Sequence, residues 1–313
     1  MVNDAGGEKQ SWTRLQLIEW TASFFGQKGI DSARLDAEVL LAHALATTRL
    51  NLYVHYDEPV DAEVLSRYRE LVSRRARREP LKYILGRTEF LSLPLVVDRR
   101  VLIPRPETEL LAERAIELLR RELPPGPKTV VDVGTGSGAI AVAVAKNMPD
   151  VVVHATDTSA DALELAEKNA RELGVQGQVV FQHGDLFEPV CELAGQVHLV
   201  TSNPPYVAES DFAGLAPELR YEPRQAVVSG ATGLEVIEKL VRAAPDMLMP
   251  LGVLLCEIGA DQAPEVKRLA EGTEAYSSVT LRQDYANIER ILEARKGPPA
   301  SPGSVGAGGR PSD

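Results

Sequence analysis

Apolar residues recur at helical spacing in the first part of the chain, from residue 11 to residue 88. Three segments carry this pattern. They run from Trp12 to Phe25, from Leu35 to Leu45 and from Leu65 to Arg77. Apolar positions three and four residues apart form one face of a helix. The pattern therefore predicts a small N-terminal helical bundle.

The rest of the chain follows other patterns. Residues 89–107 are predicted to form a linker with a strand over Phe90 to Val97 and a short hairpin from Leu91. Helical and strand patterns alternate over residues 108–296, which predicts an α/β domain with a parallel sheet covered by helices on both faces. The polar residues 1–10 and the tail 297–313, rich in glycine, proline and serine, are expected to be disordered.

A glycine-rich turn opens the α/β region. Thr129–Val133 is predicted to be a buried strand, and the helix Ala139–Asn147 follows the turn. The second predicted strand ends in Asp157, where a carboxylate can accept hydrogen bonds from both ribose hydroxyls of a nucleoside. The same pattern occurs in dinucleotide sites. The spacing Asp-x-Gly-x-Gly-x-Gly, with no clear pyrophosphate fingerprint, favours S-adenosyl-L-methionine as the cofactor. The turn consists of Gly134, Thr135, Gly136, Ser137 and Gly138.

The tetrapeptide Asn203-Pro204-Pro205-Tyr206 follows the fourth predicted strand of this region. The side-chain carbonyl of Asn203 can accept one hydrogen of a planar NH2 group, and the backbone carbonyl of Pro204 can accept the other. The ring of Tyr206 can pack on the flat face of that group. Methyl transfer to an amide or exocyclic amine is the chemistry that such a site suits.

Composition and charge narrow the possible partners. The 313 residues carry a net charge of −11, which argues against coating nucleic acid with the whole surface. Six arginines between Arg67 and Arg78 are predicted to form a solvated helix face, or alternatively to contact phosphates or an acidic partner. No apolar stretch is long enough to span a membrane, so a cytoplasmic protein is expected. The two cysteines are predicted to be core residues, and no metal site is expected.

Four segments together resemble the HemK/PrmC family of peptide chain release factor glutamine methyltransferases. They are Leu81–Gly86, Leu102–Leu110 with its Pro-Arg-Pro-Glu-Thr-Glu run, the turn that ends at Gly138, and Asn203–Tyr206. The resemblance covers about Ser32 to Arg290. Asn-Pro-Pro-Tyr alone is shared with DNA, RNA and other protein amino-methyltransferases, whereas the Pro-Arg-Pro-Glu-Thr-Glu run favours a release factor over a ribosomal protein as the substrate.

The resemblance implies a class I methyltransferase fold, which is Rossmann-like with seven mostly parallel strands, and an N-terminal domain that helps to dock the release factor. Its implied activity is methylation of the glutamine in the Gly-Gly-Gln motif. Asp185 and Leu186 would border the adenine of S-adenosyl-L-methionine. Arg105 and Glu107 would line the site near the cofactor and are assigned to the substrate, as are Pro205 and the catalytic residues Asn203, Pro204 and Tyr206. Asn203 is also counted among the cofactor contacts.

Two alternative substrates and one sequence departure stay open. The pocket could take a flipped adenine or guanine, or the glutamine of a ribosomal protein. The protein is expected to be a monomer without stable nucleic-acid binding. Near the C-terminus, Asn287 stands where the family commonly has glycine, and because asparagine tolerates a left-handed backbone, the turn is expected to persist.

Overall fold

The computed structural model describes residues 12–299, and the chain divides into two units. The first unit contains the residues up to Glu89 together with Val96–Ile103 and Gly214–Pro223. The second contains Phe90–Leu95, Pro104–Ala213 and the residues from Arg224 onward. The domain boundaries proposed from the sequence stay predictions. The disorder expected for residues 1–10 and 300–313 concerns segments outside the described residues.

Helices build the first unit, as the sequence predicts. They are α1 (Arg14–Gln27), α2 (Ala33–Ala44), α3 (Arg49–Val54), α4 (Ala62–Ala76) and α5 (Leu81–Leu85). Thr13 caps α1 in a capping box with Gln16, and Asp61 accepts the backbone N–H of Val64 to cap α4. Leu40 and Leu41 of α2 are fully buried in the core of this unit, together with Phe25 of α1.

The arginine-rich segment on α4 and beyond is not uniformly solvated. Arg75 is buried and donates to Asp36 at 2.7 Å and to Glu218 at 3.0 Å. Among residues 12–299, Arg67 and Arg69 form no ion pair. The prediction of a solvated face is therefore wrong for Arg75. This side chain is structural, because it links two carboxylates that lie far from it in the sequence.

A hairpin follows α5, and it begins earlier than predicted. Its strands are β1 (Arg87–Phe90) and β2 (Leu93–Val96), so a hairpin is present as predicted, whereas the prediction of a strand over Phe90–Val97 is wrong. The turn falls on Leu91 and Ser92, which adopt φ values of +46° and +62°. Because neither residue is glycine or asparagine, the local sequence does not signal this turn. The carboxylate of Glu109 accepts a hydrogen bond from the N–H of Leu91 at 2.9 Å and so stabilises the turn.

The second unit contains the predicted mostly parallel sheet. Residues 12–299 place seven strands in it, in the order β5-β4-β3-β6-β7-β9-β8. The β9 strand runs antiparallel to both of its neighbours, β7 and β8, and the other described pairs of this sheet are parallel. The strand order reverses between β3 and β6, which in such sheets marks the ligand-binding crevice. The strands are β3 (Lys128–Val133), β4 (Val151–Asp157), β5 (Val179–His183), β6 (Val197–Ser202), β7 (Leu248–Glu257), β8 (Tyr276–Gln283) and β9 (Glu289–Lys296).

Helices cover both faces of this sheet. Adjacent strand residues point to opposite faces, so Val130 packs with α6 and α7 while Val131 packs with α9 and α10. Cys256 is buried in the second of these cores, but Cys191 is exposed, so the prediction of a core position is wrong for Cys191. The helices are α6 (Pro106–Glu117), α7 (Ala139–Asn147), α8 (Ala160–Glu172), α9 (Glu235–Met247) and α10 (Ala263–Glu271).

The turn between β8 and β9 keeps its shape although it lacks glycine. Asn287 adopts φ of +61° between β8 and β9, and Asp284 accepts the N–H groups of Ala286 and Ile288, so the turn persists without glycine as predicted. None of the helices within residues 12–299 combines the length and apolar character needed to cross a membrane.

Candidate active site

The predicted site residues of the second unit gather at the carboxyl ends of neighbouring strands. Val133 of β3 lies in register with Thr156 of β4 on one side and with Ser202 of β6 on the other. The next residue of each strand or loop is therefore Gly134, Asp157 or Asn203. The parallel sheet brings these three motifs together although they are far apart in sequence.

The glycine turn after β3 is held by backbone hydrogen bonds. Gly134 and Thr135 both donate to the carbonyl of Thr156, at 2.8 and 3.0 Å. Gly134 and Gly136 adopt φ of +69° and +55°, and a Cβ atom at either position would meet nothing within 4 Å. The turn thus leaves open space on one side, and its backbone conformation requires glycine.

The third glycine serves packing. Gly138 adopts φ of +79°, and a Cβ atom there would lie 3.1 Å from the Cβ of Ala166 in α8. Asn169 of α8 donates to the carbonyl of Ser137 at 2.9 Å, which fixes the end of the turn to the same helix. A direct cofactor contact of Gly138 stays a prediction.

Asp132 supports the turn from below. Its carboxylate is buried and accepts hydrogen bonds from the hydroxyls of Thr135, at 2.7 Å, and of Thr201, at 2.8 Å. Burial raises the pKa of Asp132 to about 6, although the two threonine hydrogen bonds favour the charged form. One buried acid therefore ties the glycine turn of β3 to strand β6, which leads into Asn203.

Asp157 lies beside the turn, where the sequence places it. One carboxylate oxygen accepts the N–H of Gly136 at 2.8 Å, and the other accepts that of Ser159 at 2.9 Å. Burial raises the pKa of Asp157, and these backbone donors oppose the shift. Each carboxylate oxygen has a second lone pair, so Asp157 can still accept hydroxyl groups from a ligand.

Asp185 and Leu186 follow β5. Asp185 is exposed, and its backbone carbonyl accepts the N–H of Glu188 at 3.0 Å. Leu186 adopts φ of +47°, and its carbonyl accepts the hydroxyl of Thr156 at 2.9 Å. Thr156 thus links this segment to the glycine turn. The contacts of Asp185 and Leu186 with an adenine stay predictions.

Asn203 lies at one end of a polar chain whose other two members, Thr108 and Glu257, are buried. Its side-chain nitrogen donates to the hydroxyl of Thr108 at 2.9 Å, and this hydroxyl donates to Glu257 at 2.7 Å. Among residues 12–299, no donor contacts the side-chain oxygen of Asn203, and none contacts the carbonyl of Pro204. Both oxygens are thus available to accept hydrogen bonds from a ligand.

Tyr206 and Pro205 complete the tetrapeptide. Both are half-buried, and the backbone carbonyl of Tyr206 accepts the side-chain amide of Gln262 at 2.8 Å. A Cβ atom at Gly233 would lie 2.5 Å from the same carbonyl, so this segment is closely packed. Burial raises the pKa of Tyr206 to about 12, and the charge of Glu257 acts in the same direction. Tyr206 is therefore a neutral phenol at physiological pH.

Arg105 and Glu107 lie at the start of α6, next to Thr108. Pro106 occupies the first helical turn, which fixes where the helix begins. The charges of both Arg105 and Glu107 act on the pKa values of Tyr206 and Glu257, so these four ionisable groups share one site. Direct contact of Arg105 or Glu107 with a substrate stays a prediction.

Thr108 and Glu257 are the site residues that the sequence interpretation misses. Thr108 belongs to the Pro-Arg-Pro-Glu-Thr-Glu run, of which only Arg105 and Glu107 are predicted from the sequence to be site residues. Glu257 ends the apolar run Val253–Cys256, and an acid at the carboxyl end of a buried parallel strand is a detectable signal. These contacts cannot be seen locally, because Thr108 lies 95 residues from Asn203 and 149 residues from Glu257 in the sequence.

Comparisons with known proteins agree on one family. A family model described as the PrmC N-terminal domain matches residues 16–86, and one described as the methyltransferase small domain matches residues 112–221. "Release factor glutamine methyltransferase" of Rhodopirellula baltica is 41% identical over 91% of this chain and 97% of its own length. The protein of the same name from Geobacter sulfurreducens is 42% identical, over 91% and 98%.

One solved structure adds information on the fold alone. The catalytic domain of hMettl16, solved in complex with the MAT2A 3'UTR hairpin 6, is similar with a TM-score of 0.53 at 14% identity. The similarity covers 73% of this chain and 82% of that one. It agrees with a methyltransferase-type α/β fold for the second unit.

Proposed function

This chain belongs to the release factor glutamine methyltransferases, and we propose on that basis that it transfers a methyl group from S-adenosyl-L-methionine to a release factor. The acceptor would be the side-chain amide nitrogen of the glutamine in the Gly-Gly-Gln motif. The observation that carries the proposal is the pair of free acceptors, Asn203 Oδ1 and the Pro204 carbonyl, at the switch point of the sheet.

The residues around the glycine turn fit the cofactor. Gly134 and Gly136 leave open space where any other side chain would project, so a ligand can approach the backbone closely. Asp157 has acceptor capacity left for ribose hydroxyls, and Asp185 and Leu186 would border the adenine. When bound, S-adenosyl-L-methionine supplies a methyl group on a positively charged sulfur, which is an electrophile.

The acceptor half of the site addresses a weak nucleophile. The lone pair of a glutamine amide nitrogen is delocalised into the carbonyl group. Asn203 Oδ1 and the Pro204 carbonyl would each accept one N–H hydrogen, which aligns the nitrogen and increases its electron density. Both hydrogen bonds strengthen as positive charge develops on nitrogen, so they stabilise the transition state more than the ground state. Tyr206 would cover the flat face of the amide.

Proton removal needs no dedicated base. The methylated nitrogen is strongly acidic before it loses its proton, so water or a passing acceptor suffices. Tyr206 cannot serve as the base, since burial raises its pKa to about 12 and it stays protonated. We therefore propose alignment and hydrogen bonding as the main contributions of this chain's residues.

The substrate alternatives have less support. A flipped base could occupy the same acceptors, but the net charge of −11 disfavours a nucleic acid as partner. A ribosomal-protein glutamine remains chemically equivalent to a release-factor glutamine at this site, and the family relationship favours the latter. The monomeric state, the lack of stable nucleic-acid binding and the cytoplasmic location stay predictions.

The test is mass spectrometry of a purified release factor after incubation with this protein and S-adenosyl-L-methionine. Peptide mapping should find a single added methyl group on the Gly-Gly-Gln glutamine. Asn203→Ala should abolish this product while cofactor affinity, measured by calorimetry, changes little. A release factor that stays unmodified by a protein with demonstrated cofactor binding would refute the proposed substrate, and turnover by Asn203→Ala would remove Asn203 from the mechanism.

A further inference from the structure

Three side chains of the second unit form one line of hydrogen bonds that ends at Asn203. Asn203 Nδ2 donates to Thr108 Oγ1 at 2.9 Å, and Thr108 Oγ1 donates to Glu257 Oε2 at 2.7 Å. Thr108 is 3% exposed and Glu257 is 2% exposed, so solvent does not compete for these bonds. The line crosses from α6 to the ends of β6 and β7.

The number of hydrogens fixes the direction of this line. A threonine hydroxyl has a single hydrogen, and ionised Glu257 can only accept. Thr108 must therefore give its hydrogen to Glu257, and its oxygen is left to accept a hydrogen bond. Only the NH2 end of Asn203 can supply that hydrogen, so the carbonyl end of the Asn203 amide faces away from Thr108.

We propose that Thr108 and Glu257 are positioning residues that set which end of the Asn203 amide meets the substrate. The proposal rests on the proposed function, because it concerns the same acceptor oxygen. A reversed Asn203 would present its NH2 group to the NH2 group of the glutamine, and two donors repel one another. The orientation of one amide thus decides whether the site can bind and activate its acceptor.

The ionisation state of Glu257 controls the orientation of the Asn203 side-chain amide. Burial raises the pKa of Glu257 to about 7, and the charge of Glu107 on α6 adds to the rise, whereas Thr108, Arg290 of β9 and Arg105 oppose it. Tyr206 and Cys256 are also close to Glu257, and the charge of Glu257 raises the pKa values of both. Once protonated, Glu257 can donate to Thr108, which frees the threonine hydrogen for Asn203 Oδ1. The amide then loses its preferred orientation as the pH falls through about 7.

The first experiment needs no release factor. Protein labelled with 15N at asparagine gives side-chain amide signals in NMR spectra, and those of Asn203 are identified by their loss in Asn203→Ala. We expect the Asn203 signals of the wild type to shift with a midpoint near pH 7, and this titration should be absent in Glu257→Gln. Thr108→Ser should keep the wild-type signals at pH 8, while Thr108→Val should shift or broaden them.

The second experiment measures methyl transfer to the release factor. Thr108→Ser keeps the hydroxyl and loses a methyl group, whereas Thr108→Val keeps the shape and loses the hydroxyl, so the two variants form a matched pair. We expect Thr108→Val to lower kcat about 10- to 100-fold with little change in cofactor affinity, and Thr108→Ser to stay within about threefold of the wild type. Thermal denaturation of each variant checks its folding.

Specific results would overturn the proposal. Asn203 signals that are the same in Thr108→Val and the wild type, or that do not titrate between pH 6 and 8, would show that the line does not orient the amide. Equal kcat for Thr108→Val and Thr108→Ser would do so as well. If the wild type fails to modify the release factor, the proposed substrate is wrong, and the NMR titration still decides the role of Thr108 and Glu257.

Discussion

Asp157 provides the sharpest test of the cofactor half of the site. Its two carboxylate oxygens hold the backbone N–H groups of Gly136 and Ser159 at 2.8 and 2.9 Å, and the prediction is that they also accept the ribose hydroxyls. Replacing Asp157 by alanine removes all of these acceptors at once. We predict that the main effect of Asp157→Ala is weaker binding of S-adenosyl-L-methionine.

The size of the effect follows from these contacts. A hydrogen bond to a charged group contributes about 1.5–3 kcal/mol, which corresponds to about a 10- to 100-fold change in the dissociation constant. Losing the bond to Gly136 adds to this loss, since the glycine turn would no longer be fixed on that side. Asp157→Asn keeps one carbonyl oxygen, so its loss of affinity should be smaller than that of Asp157→Ala.

Calorimetry with S-adenosyl-L-methionine measures the effect directly. Asp161→Asn is the matched control, because Asp161 is an exposed acid in the first turn of α8 and its replacement changes the net charge equally. The control should bind like the wild type, and thermal denaturation without ligand should show that the variants are folded. A dissociation constant for folded Asp157→Ala within about twofold of the control would refute the ribose assignment.

Two predictions concern the stability of the second unit and are measured by urea denaturation. Arg114 is buried and donates two hydrogen bonds of 2.8 Å to Glu293 of β9. The substitution Arg114→Leu should therefore lower the free energy of unfolding by about 2–4 kcal/mol. A decrease below about 1 kcal/mol would contradict a structural role for this ion pair. Gly138→Ala combines a positive φ with a methyl group 3.1 Å from Ala166 and should cost about 2–4 kcal/mol. Gly174→Ala has the strain of φ +72° without a close neighbour, so a Gly138→Ala cost no larger than that of Gly174→Ala would refute the packing argument.

Local patterns predicted the elements that local forces determine. The helix Ala139–Asn147 is found with the predicted bounds, and the predicted strand Val151–Thr156 ends in Asp157 as expected. The nine residues of this helix follow a glycine turn, and all but the last two are buried. Its apolar content and the preceding glycine were therefore sufficient to predict the helix. The sheet edge then brought Gly134, Asp157 and Asn203 together because parallel strands share one carboxyl end.

Long-range contacts account for what the sequence could not reveal. The turn at Leu91 and Ser92 has the wrong residues for a two-residue hairpin and is stabilised by Glu109, 18 positions later. Arg75 is buried because Asp36 and Glu218 neutralise it, 39 and 143 positions away. The residue types alone predict no turn at Leu91 and Ser92 and a solvated side chain at Arg75. In both cases the partner that changes this outcome is brought close only by the fold.

The cofactor half and the acceptor half of the site each contain a buried acid that receives threonine hydroxyls. Asp132 holds Thr135 and Thr201, and Glu257 holds Thr108. Burial raises the pKa values of both acids, to about 6 and about 7, so at pH 8 both carry charge at a cost in stability. Strongly shifted acids of this kind are common where function, and not stability, determines the residue.

This cost has a defined sign for Glu257. Because its pKa is higher in the folded state than the ordinary value of about 4.3, its contribution to stability is fully present below about pH 4 and is lost as the pH rises through about 7. Glu257→Gln removes the charge, so at pH 8 it should unfold no more easily than the wild type, with a gain of up to about 3 kcal/mol. The gain should disappear near pH 4, and the deficit of the variant in methyl transfer should be largest at pH 8 and should narrow as wild-type Glu257 is protonated below about pH 7.

Urea denaturation of both proteins at pH 4.5 and pH 8 tests this relation. Glu113→Gln removes the same charge from an exposed position on α6 and should change stability little at either pH. If Glu257→Gln proved less stable than the wild type at pH 8 and equal to it at pH 4.5, ionised Glu257 would be a net stabilising group. By linkage, the pKa of Glu257 in the folded state would then lie below the ordinary value and not above it. The view that this acid is kept for orienting Asn203 at a cost in stability would lose its energetic basis.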